Sequence, residues 1–162
     1  MKNTKQIDAL RPGHNHKACI QRAMKMADML CTSSGVRLTH IRKRVLELVW
    51  SSHQPATAYD LLKRLRKEKD NAEPPTVYRA LDFLLENHLV HRIESLNAFI
   101  GCNHPLEEHT SQFMICSHCQ QVIELEDSQP ISRAIASEAS KFNFNISGQT
   151  IEITGVCSTC QR

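Results

Sequence analysis

The chain contains no apolar run approaching the roughly 20 residues that a helix needs to cross a bilayer. It also lacks a signal core: Met1-Lys2-Asn3-Thr4-Lys5 is followed by polar residues where a secretory segment would turn apolar. The two absences imply a cytoplasmic protein with no membrane partner. No internal repeat or low-complexity run appears, which excludes a solenoid. Cysteine is present in an odd number, seven. In a reducing compartment that fits metal ligation plus spare thiols better than a disulfide framework.

Acid is short in one part of the chain and basic residues are short in the other. Residues 1–97 carry 17 Lys and Arg against 10 Asp and Glu, a net +7, whereas residues 98–162 carry 3 against 7, a net −4. Only the first part therefore suits a polyanion, and nucleic acid is the usual one.

Residues 1–17 are polar, include Pro12-Gly13, and are expected to form a flexible tail in which His14 and His16 are solvated. From Cys19 to Cys31 the residues Ile20, Ala23, Met26, Ala27 and Leu30 recur at helical spacing. Thr39 is positioned to cap a helix carrying Ile41, Val45, Leu48, Val49 and Trp50, with Arg42, Lys43 and Arg44 off its apolar stripe. Thr57 caps another helix, with Leu61, Leu62 and Leu65 on one face and Lys63, Arg64, Arg66 and Lys67 on the other. Pro74-Pro75 starts a third, with Val77, Leu81, Leu84 and Leu85 on its buried face. A charge run of this kind is usually a solvated face, but three successive helices sharing one sign suggest a surface that meets phosphates. Arg79, within the first turn or so of the third helix, stands where a major-groove helix reads bases. Leu89–Ile93 and Ala98–Gly101 then read as a strand pair, completing a winged helix.

Beyond Gly101 the pattern changes to short strands at 113–115 and 122–125, a helix over 132–140, and a hairpin of 142–146 with 150–156 around Gly148. So small a sheet closes little core alone, and a metal staple with an edge to share suggests a dimerisation domain. The fold expected is α+β: residues 18–97 as an N-terminal winged helix-turn-helix domain and residues 98–162 as a small C-terminal α/β domain.

Cys116-Ser117-His118-Cys119 and Cys157-Ser158-Thr159-Cys160 are two Cys-x-x-Cys knuckles. Two knuckles present four thiolates tetrahedrally, the closed geometry of a structural zinc site with no position open for catalysis. Candidate ligands for a second metal are His88, His91, Cys102, His104, His109, His118 and Glu124, of which one ion needs about four. A set of His91, Cys102, His109 and Glu124 would tie the two domains together, and its cysteine favours zinc over iron or manganese. An enzyme reading fails on spacing. His104 and His109 are five apart with Pro105 between them, and no His-x-Glu precedes a Pro-Cys-x-x-Cys.

Arg37-Leu38-Thr39, Ala56-Thr57-Ala58-Tyr59-Asp60-Leu61-Leu62, Pro74-Pro75-Thr76-Val77-Tyr78-Arg79-Ala80-Leu81-Asp82-Phe83-Leu84 and the two knuckles resemble the ferric uptake regulator (Fur) family, and within it the zinc uptake regulators. The likeness runs from about residue 20 to 160. It implies structural zinc on Cys116, Cys119, Cys157 and Cys160, and regulatory zinc on His91, Cys102, His109 and Glu124, two ions per chain. Tyr59, Tyr78 and Arg79 would contact DNA. The family's iron, manganese and peroxide sensors carry a His-rich run before the first knuckle. Here that place reads His109-Thr110-Ser111-Gln112-Phe113-Met114, which argues against an iron- or manganese-sensing regulator, the alternative within the family. The function implied is a homodimeric, zinc-responsive repressor of zinc-uptake genes that binds palindromic operator DNA and takes no small-molecule substrate.

Overall fold

The computed structural model describes residues 16–52, 54–68, 70–106, 111–125 and 129–161, and the chain forms two compact units, Met1–Leu106 and Glu107–Arg162. The first contains helices α1 (His16–Ser33), α2 (His40–Trp50), α3 (Ala58–Arg66) and α4 (Pro74–Glu86), followed by strands β1 (Val90–Ile93) and β2 (Ala98–Gly101). Its core gathers residues of the apolar stripes anticipated from periodicity, Ala27 of α1, Val45 and Val49 of α2, Leu61 and Leu65 of α3, and Val77, Leu81 and Leu84 of α4, and adds Cys31 and Leu46, all of them buried.

Local chemistry sets the helix boundaries. Thr57 and Asp60 form a reciprocal capping box at the start of α3: Thr57 Oγ1 accepts from the Asp60 N–H at 3.1 Å, and the Asp60 carboxylate accepts from the Thr57 N–H at 3.2 Å. That hydrogen bonding, led by the Thr57 hydroxyl, holds the Asp60 carboxyl below its usual range. Thr39 sits at the N-cap of α2 in extended conformation, but its side chain makes no capping bond. Helix α1 ends in a Schellman motif, with the Val36 N–H on the Cys31 carbonyl, the Gly35 N–H on that of Thr32, and Gly35 at φ +68. Helix α4 ends the same way, with His88 at φ 55 in the left-handed position.

Strands β1 and β2 pair antiparallel from Val90↔Gly101 to Ile93↔Ala98. Phe99 also exchanges two 2.9 Å backbone hydrogen bonds with Ala56, tying the wing to the turn before α3. Because β2 needs β1 as its hydrogen-bonding partner, it belongs to the first unit. The division therefore falls after Leu106 instead of at the expected 97/98 boundary. Gly101 closes this strand against Trp50, and a Cβ built there would overlap the indole, whose Cζ2 would be only 2.6 Å away.

The second unit is a three-stranded sheet of order β4-β3-β5, with β3 (Ser111–Cys116) central, β4 (Val122–Glu124) antiparallel to it and β5 (Thr150–Gly155) parallel to it. A parallel neighbour requires a crossover, and helix α5 (Gln129–Lys141) makes it. Phe113, Ile115 and Cys116 are buried, as is Gln112, whose Nε2 donates to Ser132 Oγ of α5 at 3.4 Å.

The expected strand over 142–146 is absent. Its alternation of Phe142, Phe144 and Ile146 imitates a strand, but the Phe144 N–H bonds the Ala139 carbonyl (3.0 Å) and the Asn143 N–H bonds that of Ser140 (3.2 Å). With Asn143 at φ 52 this is a Schellman termination of α5, so β5 pairs with β3 and not with the segment before it. No helix among the described residues is long and apolar enough to cross a membrane.

Gly101→Ala is expected to lower stability by about 2 kcal/mol through overpacking against Trp50. Chemical denaturation of that variant and of Gly101→Ala/Trp50→Leu checks it, since the smaller side chain should recover much of the loss.

Candidate metal centres and nucleic-acid interface

The knuckles bring four thiols together. Cys116 ends β3, Cys119 lies in the turn after it, and Cys157 and Cys160 follow β5, the strand paired with β3. The Ser117 N–H on the Gly155 carbonyl (2.8 Å) joins the two knuckles. The Gln120 N–H on the Cys116 carbonyl (2.9 Å), with Gln120 at φ 57, and the Cys160 N–H on the Cys157 carbonyl (2.9 Å) close them. The four Sγ atoms lie within 4.8 Å of one another, and Cys119 and Cys157 are 3.8 Å apart. Zn–S bonds of about 2.3 Å in a tetrahedron require sulfurs roughly 3.8 Å apart, so the donor set fits zinc.

Electrostatics point the same way. Backbone N–H groups of Cys119 and then Cys157, the latter 3.4 Å from Cys116 Sγ, lower the Cys116 pKa to about 6. Cys160 is pushed up to about 12, first by its hydrogen bond with the Cys157 side chain and then by burial. At Cys119 the Gln121 N–H favours the thiolate, but the Cys116 sulfur and burial outweigh it and the pKa rises. The cluster alone thus stabilises one thiolate while holding protons on neighbouring sulfurs, and a dication reverses that balance.

The remaining predicted ligands fall in both units. In the first, His91 on β1 and Cys102 just past β2 are buried, and an imidazole nitrogen and the thiol sulfur lie within 4.8 Å of each other. The Cys102 N–H on the Leu89 carbonyl (3.1 Å) fixes the chain as it leaves the hairpin. In the second unit Glu124 ends β4 opposite Phe113 and is only 3 % exposed, a burial that carboxylates sustain when paired or coordinated. His109 lies outside the described residues. His88 serves the end of α4, His118 is exposed in its knuckle and His104 is half-buried.

Tyr59, at the second position of α3, is 73 % exposed; Tyr78 is 56 % exposed and Arg79 is exposed beside it on α4. Arg79 is the sixth residue of its helix, in its second turn. Basic residues of α2 behave differently from expectation. Lys43 pairs with Asp28 at 2.6 Å, and Arg44 binds Glu47 at 2.7 Å and grips both carboxylate oxygens of Glu68. Arg42 lies over the Phe83 ring, 3.6 Å from its centroid. On α3, Arg66 donates to the Ala72 carbonyl at 2.8 Å and Arg64 to Ser51 Oγ at 2.9 Å. Several cations counted toward a phosphate surface are thus tethers within the unit.

The ferric uptake regulator family matches residues 33–154. The chain belongs to the ferric uptake regulator family. It is 39 % identical over 146 residues to the zinc uptake regulation protein of Escherichia coli (strain K12), covering 89 % of this chain and 84 % of that one. A zinc uptake regulator solved in complex with zinc and DNA superposes with a TM-score of 0.83 at 38 % identity, covering 88 % of this chain and 95 % of the other. The crystal structure of holo XcZur gives 0.77 at 40 % identity, covering 85 % and 96 %. Members of the ferric uptake regulator family are transcription regulators and not enzymes.

For this family member, zinc loading of the four-thiol site at pH 7 is expected to release protons, those of Cys119 and Cys160 among them, because both are held above neutrality. Affinity should therefore rise with pH. Below about pH 6 the Cys116 proton joins the competition and the dependence steepens. Calorimetric titration in buffers of different ionisation enthalpy counts the protons, and pH-independent affinity would contradict the assignment.

Proposed function

We propose that the chain is a zinc-responsive repressor that binds palindromic operator DNA as a homodimer in the cytoplasm and silences zinc-uptake genes. The observation that carries this reading is its likeness, over nearly its whole length, to a zinc uptake regulator solved with both zinc and DNA. Two zinc ions per chain are assigned. Cys116, Cys119, Cys157 and Cys160 would hold one that supplies folding energy, and His91, Cys102, His109 and Glu124 would hold one that regulates. At the second site zinc supplies only charge and a fixed coordination geometry; thiolate and carboxylate donors neutralise it, and the thiolate favours it over iron or manganese.

The ligands come from both units, so their joint engagement restricts how the units move. A narrower ensemble presents α4 of each protomer at the spacing of two half-sites with less entropy left to lose. By reciprocity, operator DNA tightens zinc at this site by the same factor. Arg79 would read a base edge while Tyr59 and Tyr78 position the helix pair. The division falls after Leu106, and residues 107–162 form the dimerisation domain. That domain offers an apolar groove of about 490 Å³ lined by Ile135, Phe142, Phe144 and Ile146, beside the edge strand β5. Phe142 is 79 % exposed and Phe144 67 %, an expense that a partner protomer would remove.

Cys102→Ser should weaken the second zinc by at least about tenfold and abolish zinc-dependent operator binding, leaving a folded dimer with its first zinc. Fluorescence anisotropy against buffered free zinc, with bound metal counted, decides it; full zinc-activated binding by the variant refutes the ligand set. Arg79→Ala should cost about 1–3 kcal/mol of operator affinity and relax discrimination at one base pair. Phe142→Ser/Phe144→Ser should shift sedimentation toward monomer.

A further inference from the structure

The seven thiols divide by environment. Four form the zinc-fitted cluster. Cys31 is buried in the core of the first unit, where desolvation pushes its thiol pKa up, so it is chemically quiet. Cys19 and Cys102 remain, and both line one small cavity of the first unit. The cavity has a volume of about 20 Å³ and is walled by α1, α2 and the chain leaving β2, including Trp50 and Pro105. That is room for a water-sized molecule and little else. Cys19 is half-buried, within reach of a small solute, and Arg22 places a guanidinium nitrogen 4.0 Å from its sulfur. A partly exposed thiol beside an arginine is the setting in which cysteines react with oxidants. Cys102 lines the same cavity, with its N–H on the Leu89 carbonyl.

We propose that Cys19 and Cys102 form a reversible disulfide under peroxide, which takes Cys102 out of zinc's reach. The step balances with hydrogen peroxide as oxidant. One thiolate attacks a peroxide oxygen, giving a sulfenic acid and, with a proton, water. The second thiol displaces hydroxide from that sulfur, forming the S–S bond and a second water. Two electrons leave the sulfur pair and the peroxide is reduced. A thiol reductant restores both cysteines. Bound zinc occupies the Cys102 thiolate and protects it, so the pair oxidises when the second site is empty. The link to zinc rests on the ligand set proposed above; the disulfide itself does not.

The full-length chain, stripped of its second zinc by mild chelation and keeping the first, is treated with one equivalent of hydrogen peroxide, alkylated, and mapped by non-reducing peptide mass spectrometry. A linked pair containing Cys19 and Cys102 is expected, assigned by fragmentation. It should be lost in Cys19→Ser and in Cys102→Ser and suppressed by prior zinc loading. Zinc affinity of the second site should fall at least tenfold on oxidation, recover with dithiothreitol, and be insensitive to peroxide in Cys19→Ser, which binds zinc normally when reduced. Oxidation of Cys102 to a sulfinic acid with Cys19 still alkylatable overturns the proposal, as does a Cys19 link to any other cysteine. Should the linked peptide form while Cys102→Ser keeps its second zinc, the disulfide stands and the ligand assignment falls.

Discussion

Four sulfurs converge at one end of the second unit's sheet. Among its described residues the buried apolar side chains are Phe113, Ile115 and Cys116, too few for a three-stranded sheet and one helix to bury the surface that such a domain needs. The thiol cluster joins the end of β3 to the chain following β5, about 40 residues later, and those strands form the parallel pair whose closure costs most chain entropy. Metal bound at this point would therefore contribute folding free energy to the sheet. The edge strand β5 and the exposed Phe142 and Phe144 belong to the same unit.

The first unit needs no such staple. Its helices meet in a continuous apolar core, and left-handed residues at Gly35 and His88 stop two of them cleanly. The wing is locked at three points: Phe99 on Ala56, Gly101 under Trp50, and the Cys102 N–H on Leu89. Two candidate metal ligands, His91 and Cys102, thus stand on the most constrained part of this unit, where coordination would meet little reorganisation.

Most of this was readable from the chain. Helical periodicity located α1 through α5, and the knuckle spacing identified the sulfur cluster, because both depend on local offsets. The errors arose where partners far apart in sequence decide. Phe142, Phe144 and Ile146 alternate like a strand, yet Asn143 can adopt the left-handed conformation that terminates α5, and periodicity alone does not choose between these outcomes. Strand β2 groups with the first unit, past the 97/98 composition shift, because a strand follows its hydrogen-bonding partner. The ion pair of Arg44 with Glu68, 24 residues away, is invisible to a local charge pattern. The left-handed backbone of His88 is likewise something ligand spacing does not report.

The internal engagement of Lys43, Arg44 and Arg66 bears on how the protein responds to electrolyte. Each phosphate neutralised by a previously solvated cation frees a share of the counterions condensed on DNA, and this release sets how steeply affinity falls with salt. A lysine or arginine already paired within its own fold adds less to that release than one arriving bare. An operator complex of this chain would accordingly draw less on ion release than its +7 amino-terminal part suggests, and more on the fit of the proposed contacts Tyr59, Tyr78 and Arg79. It would hold its site over a wider range of ionic strength than a protein whose basic face stood free.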